Sequence, residues 1–323
     1  MSTLHAQPAY PTLGKVQYDD PRLEKLIPKS STIDVLASGF VWSEGPVWVK
    51  DGGYLLFSDE PANTVYRWSE KDGLSEFLKP SGYTGRGTYG NEPGSNGLII
   101  DSQGRLVSCE HGDRRVSAMP LTGGGKITLA DRYEGKRFNS PNDVVQHPTN
   151  GSYYFTDPPY GMPLKDKDPT REIKEFGVYR VTPDGQVTRL VDNLTRPHGL
   201  AFSPDLKTLY VAQSDPDRAI WMAYPVLDSG NLGAGKLFYD ATSLVKKGLQ
   251  GLPDGLKVDR EGNLWATGPG GVLVLSPEGK LLGTIQTGQA TANCAWGNDG
   301  STLYITADGY ICRIKTATKG ADW

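Results

Sequence analysis

Six polar residues recur at the same place in a repeated phrase, and their types suit the binding of a metal ion. Each stands at the start of a short apolar run. The six are Glu44, Asn96, Asn142, His198, Asp254 and Asn293. Carboxylate and amide oxygens are hard ligands that suit calcium or magnesium. An imidazole shifts the preference towards zinc, manganese or iron.

The elements that carry these residues are short strands separated by turns. Alternating apolar and polar residues fill segments such as 53–58, 104–108 and 302–306, and long helical periodicity is nearly absent. The six phrases are 39 to 56 residues apart. A period of about 40 to 50 residues holding four short strands is typical of a propeller blade. The sequence therefore predicts an all-β fold, a six-bladed β-propeller.

This fold would bring the six side chains together. The innermost strand of each blade lines the central channel, so equivalent residues at its start point towards one axis. Unpaired buried carboxylates are costly, and a divalent cation would compensate them. The alternative is that these residues cap turns and bond the backbone, as Asn and Asp often do. The apolar run that follows each of them favours strand starts.

The two ends of the chain are predicted to close the ring. The last repeat is short of strands after Thr318, and residues 33–37 could supply its missing outer strand. Closure also removes the exposed edges that so many short strands would otherwise have. We expect one propeller domain over residues 31–323 and an N-terminal arm over residues 1–30.

The composition of the chain limits the kinds of binding partner that we expect. The chain has 40 glycines and 23 prolines in 323 residues, a net charge of −3 and no cluster of basic residues, so nucleic acid is not an expected partner. No apolar stretch approaches the roughly 18 residues of a membrane span. Three cysteines make no disulfide framework. The N-terminus lacks a secretory signal, so we expect a cytoplasmic protein; a periplasmic or secreted location stays open if a leader was removed.

The repeated phrases resemble the SMP-30/gluconolactonase/LRE-like family of six-bladed propellers over about residues 40–315. The phrases that carry the resemblance are Ser-Glu-Gly-Pro-Val-Trp at 43–48, Asn-Ser-Pro-Asn-Asp-Val at 139–144, Arg-Pro-His-Gly-Leu-Ala-Phe-Ser-Pro-Asp at 196–205 and Pro-Asp-Gly-Leu at 253–256. The resemblance implies a metal-dependent hydrolase of sugar lactones. Some relatives open other lactones or cleave phosphoesters.

The same resemblance implies roles for the axial residues. Glu44, Asn142 and Asp254 match the family's metal ligands, with Asp254 also the general base that activates water. The fourth-blade position is usually Asn in the family and is His198 here. One divalent ion is expected: calcium from the family, or zinc, manganese or iron if His198 is a ligand, while His198 could also lie outside the ligand set. Asn96 and Asn293 would bind substrate hydroxyls.

Two further residues are candidate substrate contacts. His111 could bind substrate or shuttle a proton; the alternative is a loop histidine bonded to the backbone. Arg137 could hold a substrate hydroxyl or carboxylate, and an ordinary surface arginine is the alternative. Tyr83 or Tyr89, in the Gly- and Tyr-rich segment 82–94, could stack on a sugar ring.

These observations predict a hydrolase that opens a small sugar lactone. The Gly-x-Ser-x-Gly motif of covalent serine hydrolases is absent from the sequence. Two alternatives remain. One is a phosphotriesterase-like hydrolase of the diisopropyl-fluorophosphatase type. The other is a non-catalytic propeller that binds a ligand, because a propeller scaffold alone does not imply catalysis. The oligomeric state is not predicted.

Overall fold

Six antiparallel sheets of four or five strands follow one another along the chain in the computed structural model, which describes residues 10–323. They form the blades of a propeller, which confirms the predicted all-β six-bladed fold. Helices are short: α1 (Leu23–Leu26), α2 (Thr242–Lys246) and one 3₁₀ turn (Lys165–Lys167). Within residues 10–323, no helix is long and apolar enough to span a bilayer.

Most strands belong to blades of four. The two strands before the first blade are β1 (Lys15–Tyr18) and β2 (Asp34–Ser38). Blade one has β3 (Ser43–Val49), β4 (Tyr54–Asp59), β5 (Thr64–Ser69) and β6 (Gly73–Leu78). Blade two has β7 (Ser95–Ile100), β8 (Arg105–Glu110), β9 (Arg115–Pro120) and β10 (Ile127–Ala130). A separate hairpin follows, made of β11 (Arg132–Tyr133) and β12 (Lys136–Arg137).

The second half of the chain repeats the pattern. Blade three has β13 (Val144–Gln146), β14 (Tyr153–Asp157), β15 (Gly177–Val181) and β16 (Val187–Val191). Blade four has β17 (Pro197–Phe202), β18 (Thr208–Asp215), β19 (Arg218–Pro225) and β20 (Lys236–Asp240). Blade five has β21 (Leu256–Val258), β22 (Leu264–Gly268), β23 (Gly271–Leu275) and β24 (Leu281–Gln286). Blade six has β25 (Thr291–Gly297), β26 (Thr302–Ala307) and β27 (Tyr310–Lys315).

The ring is closed by an N-terminal strand, as the sequence predicts. Strand β2 pairs antiparallel with β27, and Val35 lies opposite Cys312. Arg313 reinforces the junction: its Nε lies 3.3 Å from Asp34 Oδ2, and its Nη1 lies 2.9 Å from Oε1 of Glu70, in the turn between β5 and β6 of blade one. The chain therefore joins its first and last blades through both hydrogen bonds and buried charge.

Part of the segment that the sequence suggests as an arm packs against the propeller. Strand β1 adds a fifth strand to blade five, with Val16 opposite Ile285. Leu23 and Ile27, at either end of α1, are fully buried in the cluster between blades five and six. Residues 1–9 of the suggested arm lie outside the described residues. The boundary at residue 30 remains a prediction.

The core consists of apolar side chains between adjacent blades. Its largest fully buried members include Trp221 and Trp265. All three cysteines are buried and unpaired, so they fill space as small apolar residues. The first strands of neighbouring blades contact each other, which identifies them as the innermost strands.

Truncating Leu23 tests whether the segment before the first blade belongs to the folded core. The Leu23→Ala variant is expected to lower the free energy of unfolding by about 2–5 kcal/mol, because it removes a fully buried side chain and leaves a cavity. Denaturant unfolding measures the change. Val41→Ala, at a side chain that is 63% exposed, is the control and should change stability little. Equal stability of the two variants would contradict the assigned packing.

Candidate metal and active site at the propeller axis

The repeated phrases place their polar residues at or just before the innermost strands. In four of the six phrases a glycine follows the polar residue, which lets neighbouring blades approach closely. Gly45 has φ of +47°, and a Cβ there would lie 1.9 Å from the carbonyl oxygen of Asn96. Gly97 N donates to the carbonyl of Asn142 at 2.7 Å, and Gly255 N donates to Ala292 O at 2.8 Å. The glycines therefore hold the polar side chains of adjacent blades at the same level.

These side chains surround a cavity of about 520 Å³. Five of the predicted site residues line it: Glu44, Asn96, Asn142, His198 and Asp254. Its other polar lining includes residues that the sequence analysis did not select: Trp42, Glu60, Glu92, Tyr160 and Lys165. The cavity is large enough for a sugar-sized ligand.

The side-chain amides of Asn96 and Asn142 are positioned by neighbouring polar side chains. Asn96 Nδ2 donates to Glu60 Oε1 at a long 3.5 Å, and Asn142 Nδ2 lies 3.4 Å from His111 Nε2. When the Nδ1 proton of His111 faces Glu60, its Nε2 is able to accept from Asn142. The Oδ1 atoms of both asparagines are buried without a hydrogen-bond partner. Two neutral amide oxygens beside the cavity are therefore free to act as metal ligands.

Glu44 is a buried carboxylate without a matching positive charge. The residue is 1% exposed. Its Oε2 accepts from Gly45 N at 3.0 Å, and its Oε1 accepts from the indole of Trp42 at 3.4 Å. Within residues 10–323 it forms no ion pair with a lysine, arginine or histidine. Burial raises the pKa of Glu44 well above its usual range, and the charges of Asp254 and Glu60 raise it further.

Asp254 and His198 form a close pair at the cavity wall. Asp254 Oδ1 lies 2.7 Å from His198 Nδ1, but the orientation of the two groups does not make a hydrogen bond, so both atoms lack one. Burial raises the pKa of Asp254, and His198 opposes that rise. Burial lowers the pKa of His198, but the negative charges of Asp254, Asp143 and Glu60 together outweigh it, so the net pKa is raised. The Asp254 side chain keeps 13% of its surface exposed, which leaves it open to the cavity.

The donor set fits a divalent cation. Unpartnered oxygens of Asn96, Asn142 and Asp254 and the uncompensated carboxylate of Glu44 surround the same cavity. Hard oxygen donors of this kind suit calcium or magnesium, and the nearby imidazole of His198 adds a nitrogen donor that suits transition metals.

A second group of possible ligands lies beside the first. One ligand atom from each of Glu60, Glu92 and His111 can be chosen so that all lie within 4.8 Å of one another. Burial and Glu60 raise the pKa of Glu92 to about 7. A sequence signal for this group did exist: Glu60 directly follows β4 just as His111 directly follows β8, so the second strands of two adjacent blades end in equivalent polar residues.

Three predicted substrate-binding residues do not line the cavity. His111 is fully buried behind Asn142 and Glu60. Asn293 is buried beneath Gly255, and its Oδ1 accepts from the backbone N of Cys294 at 2.9 Å. Arg137, on β12, lines a different pocket. The substrate roles of these three residues remain predictions.

Comparisons with known proteins identify the family of this chain. The model of the SMP-30/gluconolactonase/LRE-like region matches residues 42–309, and the chain belongs to this family. It is 41% identical to a gluconolactonase of Zymomonas mobilis over 96% of this chain and 88% of that protein. It is 28% identical to bovine regucalcin over 81% of this chain and 82% of that protein. A gluconolactonase from Xanthomonas campestris superposes with a TM-score of 0.81 at 32% identity, covering 96% of this chain and 99% of the other.

The raised pKa values predict how the stability of the metal-free protein depends on pH. A carboxyl whose pKa is raised by folding, such as that of Glu44, stabilises the folded protein while it is protonated. That contribution to the free energy of unfolding is lost as the pH rises and the carboxyl ionises. A histidine with a raised pKa, such as His198, also contributes stability at low pH that is lost as the pH rises. Both effects act in the same direction. Chelator-treated protein should therefore melt at a lower temperature at pH 8 than at pH 6.

Thermal melts with and without a divalent cation check this expectation. Added cation should raise the melting temperature more at pH 8, where the ligands are ionised, than at pH 6, where protons compete. The Glu44→Gln variant, which cannot ionise at this position, should show a weaker pH dependence. An equal melting temperature at both pH values for chelated wild-type protein would contradict the uncompensated buried charge.

Proposed function

We propose that this protein hydrolyses a sugar lactone with the help of one divalent cation bound at the propeller axis. The observation that carries the proposal is the set of unpaired donors around the axial cavity, in a chain 41% identical to a gluconolactonase. Glu44, Asn142 and Asp254, with His198 beside them, would hold the cation. When bound, that ion supplies polarisation of the lactone carbonyl and stabilises developing negative charge. The family favours calcium, and His198 would favour zinc, manganese or iron.

Asp254 is the proposed general base. It faces the cavity, so a water molecule there can donate a proton to it as the water oxygen attacks the carbonyl carbon. The bond between the carbonyl carbon and the ring oxygen then breaks. The proton held by Asp254 passes to the ring oxygen, which becomes the hydroxyl of the released hydroxy acid.

The remaining polar lining of the cavity supports substrate binding. When protonated, the imidazole of His198, whose Nδ1 lies 2.7 Å from Asp254 Oδ1, stabilises the negative charge of the base. The ring of Tyr160 packs edge-on against His198 with centroids 5.3 Å apart, which limits the movement of the imidazole. Asn96 and Lys165 can form hydrogen bonds with the hydroxyl groups of a sugar, because hydroxyl groups both donate and accept hydrogen bonds.

Replacement of the base tests this function. Asp254→Asn should lower kcat for gluconolactone by about 10²–10⁴-fold, the usual contribution of a general base, because the amide cannot accept the proton. Activity is followed by acid release in a pH-stat. Asp228→Asn, in an exposed turn, is the matched control and should retain full activity.

Three outcomes would count against the proposal. Asp254→Asn retaining more than half of the activity would remove the assigned base. Undiminished hydrolysis after chelation would exclude the role of the cation. Faster hydrolysis of diisopropyl fluorophosphate than of gluconolactone would favour the phosphotriesterase-like alternative.

A further inference from the structure

A second pocket lies beyond the turn that carries His111. Its volume is about 570 Å³. The turn separates it from the axial cavity: Arg114 N donates to the carbonyl of His111 at 3.2 Å, and the Tyr89 hydroxyl lies 3.5 Å from that same oxygen. The polar and aromatic side chains that line the second pocket are Tyr83, Tyr89, Asp113, Arg114, Arg137 and Asp168.

Arg114 is a buried cation with an unused donor. The residue is 5% exposed. Its Nε donates to the carbonyl of Phe138 at 2.6 Å, and its Nη1 donates to Thr170 O at 3.3 Å. Its Nη2 is buried and has no hydrogen-bond partner. A buried guanidinium with a free donor favours an acceptor that is not part of this chain.

Arg137 adds a second positive charge to the same pocket. Its Nη2 donates to the backbone carbonyl of Asp113 at 3.0 Å, and its backbone N donates to Glu172 Oε2 at 2.8 Å. Within residues 10–323, the guanidinium group of neither arginine lies within 4 Å of a carboxylate oxygen. Burial and the charge of Arg137 lower the pKa of Arg114. Two like charges that face one pocket repel each other, and an anion between them would remove the repulsion.

The two acidic residues of the pocket are already satisfied by their own loops. Asp168 accepts from Leu164 N at 3.0 Å, and from the backbone N and hydroxyl of Thr170 at 2.9 and 2.6 Å. Asp113 accepts from the backbone N and hydroxyl of Thr84 at 3.0 and 2.7 Å, and from Arg115 Nη2 at 3.4 Å. These hydrogen bonds hold the loops in place, and neither carboxylate forms an ion pair with the guanidinium of Arg114 or Arg137.

We propose that this pocket binds an oxyanion, a carboxylate or phosphate group carried by a hydroxylated molecule of sugar size. Guanidinium groups bind both oxyanions through charged hydrogen bonds. The rings of Tyr83 and Tyr89, with centroids 5.0 Å apart, form a wall against which the body of the ligand packs. The site is distinct from the axial cavity and does not depend on the proposed hydrolysis.

Ligand-induced shifts in melting temperature, followed by calorimetric titration, test the site. The probes are sodium gluconate for the carboxylate, glucose 6-phosphate for the phosphate and glucose as the uncharged control. At least one of the two anions should bind wild-type protein, and glucose should not. Arg137→Gln should weaken anion binding about tenfold or more, because it removes a charged hydrogen-bond donor. The anion that binds more tightly identifies the group that the pocket prefers.

The chain supplies a matched control. Arg132 pairs directly with Arg137 across the β11–β12 hairpin, but its side chain is 51% exposed, so Arg132→Gln should bind as wild type does. Glu44→Gln, altered only in the axial cavity, should also bind normally. If Arg137→Gln does not fold, Arg137→Lys replaces it and should still weaken binding, because lysine lacks the forked donors.

The proposal is overturned if neither anion binds, if Arg137→Gln binds as tightly as Arg132→Gln, or if Glu44→Gln abolishes binding. The last result would place the ligand in the axial cavity. Because the readout is binding without lactone turnover, a failure here leaves the proposed hydrolase function to its own test.

Discussion

The axial cavity is defined by negative charge that the protein itself does not neutralise. Glu44 is buried without an ion pair in the described chain, and its nearest charged neighbours, Asp254 and Glu60, are also acidic. Burial of an unpaired carboxylate is one of the most costly features a fold can contain. The other interactions of the propeller offset the cost of burying Glu44, and such an uncompensated carboxylate is typical of a cation-binding site. The proposed substrate binding and the proposed proton transfer at Asp254 both depend on that same charge.

The propeller fold forms this acidic cavity by bringing together residues that are far apart in the sequence. Glu44 and Asp254 are 210 positions apart, yet both line one cavity because each stands at an innermost strand. Pairing of β2 with β27 closes the ring, and Arg313 ties blade six to Glu70. A glycine follows four of the six polar residues, and it removes the side chain that would otherwise hold adjacent blades apart. Closure and close backbone approach therefore serve the site directly.

The repeated phrase was enough to predict the six blades, the closing strand and five residues of the cavity, because propeller geometry makes equivalent positions converge. The phrase itself did not reveal Glu60 or Glu92, because the signal for Glu60 lies after the second strand of the blade and Glu92 lies in an irregular loop. It also could not separate Asn293 from the cavity, because burial beneath Gly255 depends on the packing of two blades. Arg137 lies on an inserted hairpin whose direction no repeat specifies.

Anomalous diffraction from a crystal soaked in a manganese salt tests the central claim most directly. The account predicts an anomalous peak about 2.0–2.6 Å from carboxylate oxygens of Glu44 and Asp254, with the Asn142 amide oxygen completing the contacts. The same peak should be missing from crystals of Glu44→Gln. A crystal without any peak, or with a peak held only by Glu60, Glu92 and His111, would contradict the account.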